Sequence, residues 1–208
     1  MSIPLCCVIL TERTSSMKKI SLRQRLLWRL RQQPEQLRQA KSSAIAQTLR
    51  RLHIYKKARV VMCYVAIDSE VETRPILEQA LADGKRVAVP MALSRSRRLV
   101  AAEVKNLRRE LKPRGPWKIP QPPSRKGHAI SPENLDLVIV PGVAFDRQGR
   151  RLGRGMGYFD RFLGRVPASV PRVGLAFRFQ LLKEIPSESH DQPVSVVITE
   201  KKVVRIKG

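Results

Sequence analysis

Two runs of the chain, Val60-Val61-Met62-Cys63-Tyr64-Val65 and Leu135-Asp136-Leu137-Val138-Ile139-Val140, are apolar with almost no polar alternation. A strand with one wet face alternates apolar and polar residues; a run that does not alternate belongs to a strand covered on both faces. Residues 86–90, 99–105, 173–177 and 194–199 read as further strands. Helical periodicity separates several of them. Residues 19–30 form a basic amphipathic helix, and a second helix, with Pro34 in its first turn, runs to about Leu52. Leu37, Ala44, Ile45, Thr48, Leu49 and Leu52 share one face of the second helix. A third runs from Thr73, a capping residue, through residue 82, with Pro75 in its first turn and Gly84 at its end. A short helix comes next over 158–163. Strands alternating with helices specify an α/β fold around a mostly parallel sheet with right-handed crossovers. Residues 113–132 hold six of the fifteen prolines and read as an extended loop with local turns.

The length of 208 residues and an apolar content of 42% suit a single domain. No apolar run reaches the ~18 residues that a membrane span requires. Residues 1–16 look foreign to the remainder of the chain. They lack a positive n-region and a small-residue cleavage site, so a signal peptide is not expected. They read as a disordered extension, with the domain proper at 17–208 and Met17 as a second candidate start. The three cysteines, Cys6, Cys7 and Cys63, form no C-x-x-C pattern and no cluster with histidine. That composition speaks against a disulfide framework and a zinc site, and for a reducing, cytoplasmic setting with Cys63 as a core thiol.

The net charge of +24 raises a different function class, nucleic-acid binding. Basic residues, however, are spread from Lys18 to Lys207 without a separate polybasic tail. Aromatic residues make up only 5% and form no base-stacking signature. The distribution favours a generally basic surface, and a positive cleft would also draw anionic substrates.

The residues that carry chemistry come after the second buried run. Pro141-Gly142 ends that run, and Arg151-Leu152-Gly153-Arg154-Gly155-Met156-Gly157 then opens into the helix at Tyr158-Phe159-Asp160. In open α/β sheets ligands sit at the carboxyl ends of strands, where this segment lies. Alternate glycines let the backbone approach a ligand and turn N–H groups toward an anion, while Arg151 and Arg154 add positive charge. The spacing is neither that of a P-loop nor that of a dinucleotide fingerprint. A bare glycine alternation is also met as a plain tight turn; the arginines and Asp160 shift the reading toward a phosphate with a metal. Asp160 offers a hard oxygen ligand for Mg²⁺, or alternatively a first-turn carboxylate that complements the helix dipole.

The run from Asp136 to Asp160 resembles the 5-formyltetrahydrofolate cyclo-ligase family, also called methenyltetrahydrofolate synthetase, with Phe159 where the family pattern has tyrosine. Lys19-Ile20-Ser21-Leu22-Arg23, Glu70-Val71-Glu72-Thr73 and Trp117-Lys118-Ile119-Pro120-Gln121-Pro122 resemble its other signatures in the same order, over about residues 18–200. The resemblance implies a three-layer α/β fold related to the ribose-isomerase and CoA-transferase-like folds. It also implies ATP-dependent conversion of 5-formyltetrahydrofolate to 5,10-methenyltetrahydrofolate, with release of ADP and phosphate. ATP would be held by Lys19, Ile20, Ser21, Leu22 and Arg23 and by Arg151, Leu152, Gly153, Arg154, Gly155, Met156, Gly157, Tyr158 and Phe159, with Arg154 at the transferred phosphoryl group. The folate would meet Val65, Glu70, Trp117 and residues 154–158, and Mg²⁺ would be held by Asp160 and Asp191. On residue type alone, Lys19 and Arg23 read as solvated charge, Glu70 as a surface loop acid, and Trp117 equally as a core residue. His53, His128 and His190 do not look catalytic. The partners implied are ATP and 5-formyltetrahydrofolate, with or without a polyglutamate tail, and no membrane; the protein is expected to act as a monomer. The alternatives are a basic nucleic-acid-binding protein and another phosphate-handling enzyme on the same α/β scaffold.

Overall fold

The computed structural model describes residues 5–93, 96, 98–115, 118–123 and 128–206, with side chains from residue 17 onward. The helices are α1 (Leu5–Arg31), α2 (Glu35–Arg51), α3 (His53–Lys57), α4 (Arg74–Ala82), α5 (Leu107–Glu110) and α6 (Tyr158–Leu163). The strands are β1 (Val60–Cys63), β2 (Arg86–Leu93), β3 (Arg98–Val104), β4 (Lys112–Arg114), β5 (Ile119–Gln121), β6 (Ala129–Ile130), β7 (Leu137–Val140), β8 (Ala144–Phe145), β9 (Arg151–Leu152), β10 (Arg172–Leu175), β11 (Val196–Ile198) and β12 (Val203–Arg205).

Among the described residues, eight strands make one sheet in the order β12-β11-β10-β7-β1-β2-β3-β6. The central pairs β11-β10, β10-β7, β7-β1 and β1-β2 are parallel, and the strands added at both edges are antiparallel. Each central strand feeds two cores, because its side chains alternate between faces. Leu137 and Ile139 of β7, with Val61 and Cys63 of β1 and Val173 and Leu175 of β10, meet Ile45 and Leu49 of α2 and Ile76 and Leu77 of α4. Val138, Val140 and Met62 point the other way, toward Phe162 and Leu163 of α6. These are helix, sheet and helix layers, and the two runs that do not alternate are the strands at their centre. At full burial a Val, Leu or Ile side chain contributes roughly 1.5–3 kcal/mol.

Several local expectations are corrected. The helix α1 reaches back to Leu5, and residues 5–31 contain neither glycine nor proline, so nothing local stops it. Leu37 lies outside the buried face of α2 and is 48% exposed. Thr73 stands at the start of α4 but does not cap it. Its hydroxyl is taken up by Tyr64 O at 2.7 Å and by the N–H of Ala66, which ties the loop after β1 instead. The proline-rich stretch contains a hairpin, β4 against β5, and Gln121 anchors it by accepting the Ala92 N–H at 3.0 Å. Cys63 is a buried free thiol as expected, and burial pushes its pKa upward.

Candidate active site

The parallel strands β1 and β7 end at the same side of the sheet, and the C-terminal half of β2 lies beside them. A cleft of about 1120 Å³ opens there, floored by Tyr64, Val65, Pro90, Ala92, Pro141 and Gly142. The β4–β5 hairpin brings Arg114 and Lys118 to its rim, and α1 crosses it on the opposite side.

Helix geometry decides which residues of α1 face this cleft. Positions four apart lie on one face. Lys19, Ile20 and Arg23 therefore line the cleft, while Leu26 and Leu30 are buried as anchors. Ser21 and Leu22, the other two residues of the expected ATP-binding run, are not among the residues that line the cleft. The Ser21 hydroxyl donates back to Lys18 O on its own helix, and Leu22 packs against a small core with Leu26, Val143, Ala144, Leu152 and Ile185. The two cations are held differently. The Arg23 Nε donates to Gly153 O at 2.8 Å, which fixes α1 to the glycine loop. The Lys19 Nζ lies 2.6 Å from an Asp191 oxygen and 3.2 Å from Glu188, with its side chain largely buried.

The glycine loop is shaped by backbone conformations that side chains resist. Gly155 and Gly157 have φ of +99° and +64°, in the left-handed region. Their turns leave Arg154, Gly155 and Met156 exposed at the cleft while α6 begins at Tyr158. The two arginines of the loop have separate roles. Arg151, on β9, is only 3% exposed. Its Nη2 lies 2.5 Å from Asp160 Oδ1 and its Nη1 donates to Pro141 O at 3.2 Å. Arg151 thus braces the loop from beneath while still lining the cleft. Leu152 also places its side chain in the small core, and Phe159 packs against both main cores with the Arg151 guanidinium 6.0 Å from its ring centre. Tyr158 remains on the cleft wall, with the Arg161 guanidinium over its ring.

Arg154 reaches across the cleft instead. Its Nε and Nη2 donate to Glu70 Oε1 at 3.1 and 3.0 Å, and its Nη1 donates to Asp68 at 3.2 Å. Glu70 sits at the end of the loop after β1, and its other oxygen accepts the Ile67 N–H at 3.2 Å. Burial raises the Glu70 pKa above the usual glutamate range, and the Arg154 charge opposes that shift without cancelling it. Val65 lines the same wall, as expected. Trp117 lies outside the described residues.

Asp160 and Asp191 both line the cleft. Among the described residues, the group that would suit a cation is Glu188, His190 and Asp191, whose ligand atoms all lie within 4.8 Å of one another. Two carboxylates supply hard oxygens of the kind Mg²⁺ prefers; the imidazole is the less fitting member. Asp160 stands outside this group, with Oδ1 held by Arg151 and by the Gln192 N–H at 3.3 Å. Sequence reasoning misses Glu188, although the signal is there: it lies three residues before Asp191. It misses Asp68 as well, since the role of that residue depends on a backbone angle. A second, more open concavity of about 590 Å³ lies at the other end of the strands, among Arg50, Arg51, Tyr55, Lys56 and Lys85. It shares none of these groups.

Fold and site together define an α/β protein with a cleft at the carboxyl ends of its parallel strands, lined by arginines, lysines and carboxylates. The chain belongs to the 5-formyltetrahydrofolate cyclo-ligase family, whose model matches residues 15–200. It is 30% identical to the 5-formyltetrahydrofolate cyclo-ligase of Mus musculus, over 90% of this chain and 96% of that one. It is 34% identical to the cyclo-ligase of Mycolicibacterium smegmatis, over 90% and 96% respectively. Its fold matches the NMR structure of Aquifex aeolicus 5,10-methenyltetrahydrofolate synthetase with a TM-score of 0.79 and 33% identity, covering 91% of this chain and 93% of that one. No helix among the described residues is long and apolar enough to cross a membrane.

Proposed function

We infer that the protein converts 5-formyltetrahydrofolate to 5,10-methenyltetrahydrofolate at the expense of ATP, releasing ADP and phosphate. The observation that carries this reading is Arg154. It spans from the glycine loop, suited to a polyphosphate, to Glu70, suited to a heterocycle with N–H donors. One guanidinium therefore stands where the two substrates meet, in a chain that belongs to the cyclo-ligase family.

The chemistry calls for such a meeting point. The formyl oxygen of the substrate is a poor leaving group. When it attacks the γ-phosphorus, the bond from that phosphorus to the bridging oxygen breaks and ADP departs. N10 then adds to the activated carbon and loses its proton to solvent. The carbon–oxygen bond breaks, phosphate leaves with the electron pair, and the methenyl bridge remains. The protein contributes positioning and charge. Arg154 neutralises charge on the phosphoryl group in flight. Exposed N–H groups at 155–157 cradle phosphate oxygens, with Arg23 and Lys19 close by. Glu70 and Val65 hold the ring, and Tyr158 flanks it.

Mg²⁺ would be held by Asp191 with Glu188, and by the second oxygen of Asp160, and would supply charge neutralisation on the phosphates. Lys19 contacts the same two carboxylates. The glutamate carboxylates of the folate, single or multiple, are drawn to the basic rim at Arg114 and Lys118. We take the working protein to be a cytoplasmic monomer.

The test is methenyl formation monitored by absorbance, with ATP, the folate and Mg²⁺ omitted in turn and EDTA added in a further arm. Product is expected only in the complete mixture. Product at an equal rate without nucleotide overturns the reading, and undiminished turnover in EDTA removes the metal from it.

A further inference from the structure

Arg154 is bound to Glu70, yet the proposed function, on which this inference rests, needs both residues for other tasks. Both oxygens of Glu70 are already engaged, one by two Arg154 donors and one by the Ile67 N–H. Ring donors of a folate that take Oε1 compete with Arg154 for it and displace it from Glu70. A guanidinium released from its anchor swings on a long, flexible side chain, and its place at the phosphoryl group is lost. Something other than Glu70 has to keep it there.

We propose that Asp68 is the positioning residue that holds Arg154 at the reacting phosphoryl group when Glu70 turns to the folate. Three observations support this. Asp68 takes the one terminal nitrogen, Nη1, that Glu70 does not. It is 54% exposed and lies at the cleft wall, so it remains with Arg154 without competing for the buried ring position. It also has φ of +51°, one of two non-glycine residues in the left-handed region among those described. Aspartate tolerates that conformation better than most residues. The turn it makes puts both acids of the Asp68-Ser69-Glu70 segment on a single guanidinium. Release by Glu70 and retention by Asp68 then couple folate binding to the readiness of the ATP side.

The test uses Asp68→Asn and Asp68→Gly, which suit the left-handed backbone but lack the charge, in the full chain. Steady-state turnover is measured with both substrates saturating, alone and combined with Arg154→Ala. The expected result is a fall in kcat of about tenfold, the size of a half-exposed charge-assisted hydrogen bond. KM for 5-formyltetrahydrofolate should not rise, since Glu70 is intact. In the Arg154→Ala background neither Asp68 substitution should cost anything further, because Asp68 acts through that side chain. Normal kcat in both single variants overturns the proposal. So does an undiminished tenfold loss in the Arg154→Ala background, which would show that Asp68 acts independently. If Arg154→Ala alone turns over normally, the assignment of Arg154 fails and this inference falls with it. If Arg154→Ala is slow while the Asp68 variants are normal, only the inference falls.

Discussion

Arg151 and Arg154 stand three residues apart in one loop, and the structure gives their removal opposite consequences. Arg151→Ala deletes a buried guanidinium and leaves the partly buried Asp160 carboxylate without its charge partner and Pro141 O without a donor. Breaking a buried pair in this way costs about 3–5 kcal/mol. In a domain of this size each kcal/mol shifts Tm by roughly 2–4 °C, so the melting temperature should fall by roughly 6–20 °C. Arg154→Ala removes a side chain that is 33% exposed. Glu70 then loses its neighbouring charge, but its pKa is already raised, so it can take up a proton instead of remaining buried and charged. The stability cost should stay within about 1 kcal/mol, while turnover at saturating ATP should fall roughly 10³-fold, as for an arginine that meets a transferred phosphoryl group. Arg147→Ala, on an exposed loop residue, is the control and should change neither quantity. Differential scanning calorimetry and the methenyl absorbance assay on the three variants decide the matter. A stable but inactive Arg151→Ala, or an Arg154→Ala as fast as Arg147→Ala, would refute the division of labour drawn from the side-chain contacts.

Glu70→Gln should show a pH-dependent stability difference with a definite sign. The folded state holds the Glu70 proton more tightly than the unfolded chain, so native stability falls as pH rises from the usual glutamate range through the raised folded value. The Gln variant lacks that fall, and its Tm relative to the parent should climb across the window; a constant difference would contradict the shift. A chain beginning at Met17 should still show the circular dichroism of a folded α/β domain, less the turns of α1 it lacks, and should keep its turnover, since among the described side chains of α1 those that reach the cleft and the core start at Lys19. Loss of folding would show residues 1–16 to be structural. Ile139→Ala, at the centre of the sheet and fully buried, should cost about 2–5 kcal/mol in urea unfolding; a cost below 1 kcal/mol would contradict its placement between α2 and α4.

Much of this architecture is readable from side-chain periodicity alone. The strands β1 and β7 announce themselves because burial on both faces removes alternation, and α4 is bounded by Pro75 and Gly84. Short edge elements leave no such mark: β6 has two residues and β12 three, and the two-residue β8–β9 ribbon is hidden inside a motif that reads as loop. At the site, residue type identifies the glycine loop but cannot tell its two arginines apart. Arg151 turns inward to Asp160 and Pro141 O, and Arg154 reaches outward to Glu70 and Asp68, contacts that only the folded chain creates. Lys19 looks like one more solvated cation among forty-one basic residues, and only tertiary contact gives it Asp191 and Glu188 as partners.

The contact between Lys19 and Asp191 also bears on how the protein comes into being. The two residues are 172 positions apart in the chain. During translation at about 5–20 residues per second, the lysine is added to the chain roughly 9–34 s before its partner. A nascent chain can close the pairing of β1 with β2 early, since both strands lie in its first half. The cleft gains the carboxylates of Glu188 and Asp191 only after the strands of its floor, β1, β2 and β7, have all been made. A nascent chain that stops short of them therefore lacks the pair of carboxylates proposed to hold metal, although the residues proposed to hold phosphate are already present.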